Sequence, residues 1–209
     1  MLTERYRPRE LGDLVGQPQA VKTLLAWAKA RDRGALMFVG PSGCGKTSAA
    51  YALAREVKVD PQGPDFFKIE AAECNLETVQ WMNQSMWLHS WNGAGWRVWL
   101  IDEAHTMSKA AQNRLLTLLE KLPPRRIVVC TTTQEAPFNG DTVLFSRFTK
   151  VYFKPISEKD ALARLREICY AEVGHVQGLD LKGAVAQGKG NLREAIQQLD
   201  STMLERGIA

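Results

Sequence analysis

Gly40-Pro41-Ser42-Gly43-Cys44-Gly45-Lys46-Thr47 decides the reading of this chain, because the octet satisfies every position of the pattern G, four residues, G-K-[ST] that cradles phosphate. Such a loop works only between a strand and a helix, and its flanks supply both. Upstream, Ala35-Leu36-Met37-Phe38-Val39 is an apolar run with the length of a buried strand. Downstream, Ala50, Leu53, Ala54 and Val57 recur at helical spacing. The glycines let successive backbone N–H groups turn toward phosphate oxygens, and the helix N-terminus adds its partial positive charge. Pro41, Ser42, Gly43, Cys44, Gly45 and Ser48 are therefore expected around a nucleoside triphosphate. Lys46 is expected to reach the terminal phosphates, and the Thr47 hydroxyl to ligate Mg²⁺, a hard ion that prefers oxygen.

Working outward, apolar runs alternate with helical patterns. Pro18 opens a helix with Val21, Leu24, Leu25 and Ala28 on one face, and Gly34 closes it. After the turn-rich Pro61-Gln62-Gly63-Pro64, Phe66 to Ile69 reads as a second strand, followed by a helix over Asn75 to Leu88. Trp96 to Ile101 is a third strand. The helix after it carries Leu115, Leu118, Leu119 and Leu122 and is stopped by Pro123-Pro124. Ile127 to Thr131 and Val151 to Phe153 complete five strands, so the fold expected is α/β with a mostly parallel sheet covered on both faces. From Ser157, a helix N-cap, the pattern is helical, with Leu162, Leu165 and Ile168 on one face and Leu192, Ile196, Leu199 and Met203 on another. Two domains follow: a nucleotide-binding domain over 1–155 and a small helical lid over 156–209.

The third strand ends in Asp102-Glu103, at the edge where open α/β sheets bind ligands. Asp102 is expected to hold Mg²⁺, and Glu103 to orient and polarise the water that attacks the γ-phosphate. The tetrad Asp102-Glu103-Ala104-His105 also matches the DEAH box of a helicase class. Those enzymes need two sheet domains to clamp a strand, and only about fifty helically patterned residues follow Phe153 here.

Several blocks, taken in order, resemble one family. Glu4-Arg5-Tyr6-Arg7-Pro8, Leu14-Val15-Gly16-Gln17 and the phosphate loop are similar to the opening of AAA+ clamp-loader subunits, the replication factor C small subunits and the bacterial gamma subunit. Leu100 to His105 with Met107 resembles their Walker B segment, Thr131-Thr132-Thr133 their sensor 1, Ser146-Arg147-Phe148 their SRC motif, and Gly190-Asn191-Leu192-Arg193 their sensor 2. The resemblance implies an ATP hydrolase that couples turnover to loading a sliding clamp onto primer–template DNA. It places Pro8, Val15 and Gly16 near the adenine and gives Thr132, within one position, a bond to the γ-phosphate or the attacking water. Arg147 becomes an arginine finger for a neighbouring subunit's ATP, and Arg193 a cation reaching the γ-phosphate in cis. Phe148 stands where the family has Cys, and the segment Gln134 to Phe145 is longer than usual. The zinc cluster of bacterial members and the collar through which family subunits assemble into a ring have no counterpart within these 209 residues, as expected of a minimal member, a shortened chain or a subunit whose collar another protein supplies. Other readings are an AAA+ remodeller of a different nucleoprotein target and a nucleotide-binding structural subunit that never turns over.

Partners follow from the same resemblance. Five of the six tryptophans fall between Trp81 and Trp99, and the helix before Walker B faces the clamp in the family. Trp81, Met82, Met86, Trp87 and Trp91 are thus candidate clamp contacts, against the alternative that they pack the core. Lys109, Gln112 and Arg114 are DNA candidates on the helix after Walker B, where phosphate contacts give affinity without sequence preference. A formal charge of +4 permits a polyanionic partner without requiring one. The four cysteines include no CxxC pair, which argues against disulfide and zinc frameworks, and the three histidines show no ligand spacing. Without a long apolar stretch or an apolar leader after Met1, a cytoplasmic protein is expected.

Overall fold

Strand–helix alternation resolves into a parallel sheet of five strands, β1 (Gly34–Val39), β2 (Phe66–Glu70), β3 (Arg97–Asp102), β4 (Arg126–Thr132) and β5 (Thr149–Tyr152), in the order β2-β3-β4-β1-β5. The structure is a computed structural model that describes residues 1–133 and 142–207, with Thr142 placed by its backbone alone. The stretch from Gln134 to Asp141, most of the segment read as longer than usual, lies outside the described residues. Helices are α1 (Leu2–Arg5), α2 (Pro18–Ala30), α3 (Lys46–Glu56), α4 (Leu76–Ser85), α5 (Lys109–Leu119), α6 (Thr142–Ser146), α7 (Glu158–Val173), α8 (Leu181–Gly188) and α9 (Leu192–Glu205).

The edge strands β2 and β5 are partly exposed, whereas β1, β3 and β4 are buried on both faces, which is why these three read as near-continuous apolar runs. Their period of two divides the side chains between two cores. Leu36, Phe38, Val98, Leu100, Ile127 and Val129 pack toward α2 and α3, while Met37, Trp99, Ile101, Val128 and Cys130 pack toward α4 and α5. Removing a fully buried side chain such as Leu36 should cost about 2–5 kcal/mol. A third core belongs to α7, α8 and α9, and Leu2 of α1 joins it. Side-chain caps start α4, α7 and α9: Asn75 accepts from Thr78 N at 2.9 Å, Ser157 from Asp160 N at 3.1 Å and Asn191 from Glu194 N at 3.2 Å.

Two differences from the sequence reading have physical causes. The helix expected over Asn75 to Leu88 stops at Ser85, because buried arginines capture the next carbonyls. Arg97 donates to Ser85 O at 2.6 Å, and Arg126 to Met86 O at 2.6 Å and Leu88 O at 2.8 Å. Helix α8 is additional; its interior Gly183 and terminal Gly188 weaken the helical pattern. Three candidate contact residues also prove to be core. Met82 and Met86 are 0% and 1% exposed, packed beneath the sheet, and so are corrected from partner contacts to core residues. Gln112, at 0% exposed, turns inward to donate to Met107 O at 2.9 Å and cannot meet DNA from there. Among the described residues no helix is long and apolar enough to cross a membrane, and no His, Cys, Asp and Glu group forms a metal cluster. All four cysteines are buried and free.

Candidate nucleotide site

The carboxyl ends of β1, β3 and β4 open onto one cavity of about 370 Å³, a volume in the range of small-molecule sites. Its floor is the loop from Ser42 to Ser48. Asp102, Glu103 and the threonines of β4 form one side, Pro8 and Val15 another, and Arg193 and Ile196 of α9 stand over it.

The loop's shape follows from its glycines. Gly43 and Gly45 have φ of +67° and +100°, the left-handed region that other residues enter only at a cost. A Cβ on Gly43 would lie 1.5 Å from Asn191 Oδ1, so the lid's capping residue occupies the space a side chain would need. Buried Gln17 braces the turn: its Nε2 donates to Cys44 O at 3.3 Å and Lys154 O at 2.7 Å, and its Oε1 accepts from Lys154 N at 3.1 Å. Lys46 begins α3 with its stem buried, and its Nζ donates to Gly40 O at 2.8 Å and Pro41 O at 2.6 Å. Burial lowers the Lys46 pKa, opposed by Asp102 and Glu103, and the nearby Arg193 charge pushes it the same way as burial. Burial raises the pKa of the Cys44 thiol in the same loop.

Three strands bring the acids to the loop. Thr47 Oγ1 lies 3.2 and 3.1 Å from the two carboxylate oxygens of Asp102. Thr131 Oγ1 donates to Asp102 Oδ1 and accepts from Glu103 N, the latter at 3.0 Å. Lys68 on β2 bonds Glu70 and stands 3.9 Å from Asp102 Oδ2; its pKa is raised, chiefly by the Glu70 bond. Glu103 sits at φ +57°, where a non-glycine backbone costs about 1–2 kcal/mol, so its turn is held in place by its surroundings. A hydroxyl beside a carboxylate, at the mouth of a phosphate loop, is an oxygen-only donor set that fits Mg²⁺.

Not every expected site residue lines this cavity. Gly16 sits behind it, close to Ile156 and Asp160, and Pro41 contributes its carbonyl to Lys46. Thr132 lines the cavity, with its Oγ1 3.5 Å from His105 Nδ1. Arg147 follows α6 on the outer surface and donates to Glu120 Oε1 at 2.9 Å. Lys109 and Arg114 are exposed on α5. Trp81, Trp87 and Trp91 are 43%, 65% and 80% exposed. Sequence reasoning missed Gln17, Tyr6, Arg164 and Thr131. Thr131 carried a signal as the first threonine of the Thr131-Thr132-Thr133 run, and Tyr6 and Gln17 as members of the two opening blocks, whereas Arg164 carried none.

The profile of the ATPase family associated with various cellular activities (AAA) matches residues 36–156, more than half of the chain. Among curated proteins, the chain is 29% identical to the replication factor C small subunit of Methanothermobacter thermautotrophicus, over 95% of this chain and 61% of that protein. It is 28% identical to DNA polymerase III subunit tau of Bacillus subtilis, over 95% of this chain and 38% of the relative. The chain thus spans about three fifths or less of these relatives' length. Among solved structures, the Thermotoga maritima RuvB Holliday junction branch migration motor superposes with a TM-score of 0.68 at 18% identity, covering 92% of this chain and 63% of that one. That likeness is one of fold.

Proposed function

This chain belongs to the ATPase family associated with various cellular activities, and from that premise we propose that it binds and hydrolyses ATP as one subunit of a sliding-clamp loader acting on primer–template DNA. The observation that carries the reading is convergence: phosphate loop, paired acids and lid cation line a single cavity. The relatives named for replication factor C and polymerase III favour clamp loading among the family's tasks. In this reading residues 1–155 hold the nucleotide and 156–209 form the lid.

Thr47 and Asp102 would hold Mg²⁺, which when bound neutralises phosphate charge and polarises the phosphoryl group. Backbone N–H groups of the Ser42 to Ser48 loop orient the phosphates, and Lys46 exchanges its carbonyl partners for phosphate oxygens. Glu103 aligns the attacking water and takes its proton, while Thr132 helps to fix that water's position. Pro8 and Val15 wall the adenine. Arg193 stabilises developing charge in cis. Arg147, exposed and held by Glu120, is offered to the next subunit's ATP. Lys109 and Arg114 track DNA phosphates from the exposed face of α5. Trp81, Trp87 and Trp91 seat in an apolar groove of the clamp, and the working location is the cytoplasm.

Glu103→Gln is the direct test, in an assembly of this chain with its companion subunits, clamp and DNA. ATP should still bind while turnover falls by about 10²-fold or more. Unchanged turnover would leave a nucleotide-binding structural subunit in place of an ATPase.

A further inference from the structure

The hydroxyl of Thr131 makes two contacts that bind together the two acids of the nucleotide site. It gives its one proton to Asp102 Oδ1 and accepts the backbone N–H of Glu103 at 3.0 Å. Thr131 is 1% exposed, so no bulk water competes for either bond. Parallel register sets this up: Ile101 of β3 lies opposite Cys130 of β4, which brings the next residue of each strand, Asp102 and Thr131, side by side. Because the Glu103 N–H fills the acceptor side of the oxygen, the hydroxyl proton is directed at the carboxylate.

We infer that Thr131 is a positioning residue for the ATPase reaction, one hydroxyl fixing both the side-chain direction of Asp102 and the left-handed turn at Glu103. The inference rests on the ATPase reading proposed above. Thr47 approaches Asp102 from the phosphate loop at 3.1 and 3.2 Å, so the carboxylate is held by hydroxyls from two elements. Thr131 supplies the one that comes from the sheet. Glu103 carries φ +57°, and its amide is anchored by Thr131. Without that acceptor the turn keeps only the bonds that Thr106 N and Oγ1 make to Glu103 O, at 2.9 and 3.1 Å, and relaxation swings the Glu103 carboxylate away from the reacting water. The adjacent Thr132 has different surroundings, its hydroxyl lying 3.5 Å from His105 Nδ1, so the two threonines are not interchangeable.

Thr131→Val keeps the shape and removes the hydroxyl; Thr131→Ser keeps the hydroxyl. Three readouts are compared with the parent protein: the gain in affinity for a fluorescent ATP analogue on adding Mg²⁺, hydrogen exchange at the Glu103 amide in nucleotide-free protein, and steady-state turnover. Thr131→Val should cut the Mg²⁺-linked gain by about 10-fold, with KM for Mg²⁺–ATP rising in step, and lower kcat by about 10-fold or more, as expected for a lost charge-assisted hydrogen bond. It should also speed exchange at Glu103, and Thr131→Ser should restore all three. Should the valine variant not fold, Thr131→Ala removes the same hydroxyl and is read in its place. If the parent shows the Mg²⁺-linked gain and the hydroxyl-free variant keeps both the gain and the Glu103 protection, the positioning role is overturned and the ATPase reading stands. If the parent binds no analogue, both fall together.

Discussion

Replacing Asp65 with alanine should nearly unfold this protein while leaving its nucleotide chemistry alone. Asp65 is 3% exposed, at the amino end of β2 and so at the opposite edge of the sheet from the cavity. Its Oδ1 accepts from Arg97 Nε at 2.9 Å, and its Oδ2 from Trp91 N, Asn92 N and Asn92 Nδ2 at 2.8, 2.9 and 2.8 Å. Arg97, itself 4% exposed, would lose its only counter-charge among the described residues and keep Ser85 O plus the ring faces of Phe67 and Trp99. Breaking a buried pair by deleting one partner costs about 3–5 kcal/mol. The loop amides at Trp91 and Asn92 can turn to water, adding about 1 kcal/mol. A total of about 5 kcal/mol compares with a typical domain stability of about 5–15 kcal/mol. Urea unfolding measures it. Adding Arg97→Met to Asp65→Ala should recover about 2 kcal/mol, because the uncompensated charge leaves with it. A loss below about 1 kcal/mol for the single variant, or no recovery in the double, would refute the account of this cluster. ATP-analogue affinity of the folded fraction should not change.

Other outcomes follow from the same geometry. Gly43→Ala must displace Asn191 and adopt a left-handed φ, which should cost about 2–3 kcal/mol in thermal unfolding and weaken ATP-analogue binding; trimming Asn191 to alanine should relieve the clash but not the φ. Burial pushes the Cys74 thiol up to about 11. Because the folded value lies above the unfolded one, its stabilising contribution is complete below about pH 9 and is lost as pH rises toward 11, a fall of about 2–3 kcal/mol. Denaturation curves at pH 8 and pH 10.5 should show it, and Cys74→Ala should shrink the difference by about 2 kcal/mol, the other buried thiols supplying the remainder. Arg147→Ala should leave ATP affinity of the isolated chain intact yet lower turnover of the assembly by about 10³-fold; equal turnover would remove the finger role.

The sheet was legible because its central parallel strands, buried on both faces, leave near-continuous apolar runs, and the shorter runs at Phe66 and Val151 became the partly exposed edge strands. The phosphate loop and Asp102-Glu103 were legible because their chemistry needs particular residue types at fixed spacing. Periodicity could not say which face of α4 or α5 turns inward, since Met and Gln serve core and surface alike; Met82, Met86 and Gln112 went to the core. Nor could it reveal Gln17, whose role comes from the meeting of residues 17, 44 and 154. The shortened α4 reflects Arg97 and Arg126, charged residues whose burial depends on carbonyls that only the folded chain supplies.

One feature of the first turn reaches further than stability. Leu2 N donates to Asp200 Oδ2 across 198 positions of sequence, and the Tyr6 hydroxyl reaches Glu172. Loop closure on that scale comes late, after nearer contacts have formed. During synthesis these opening residues must wait for α9 to leave the ribosome before they find their seat. Pro8 and Val15 follow them and wall the cavity; Leu11 and Leu14 already hold this segment against the sheet's core, and the lid contacts are added last. The sheet and its phosphate loop can be ready early, but a finished nucleotide pocket arrives only once α9 has been made.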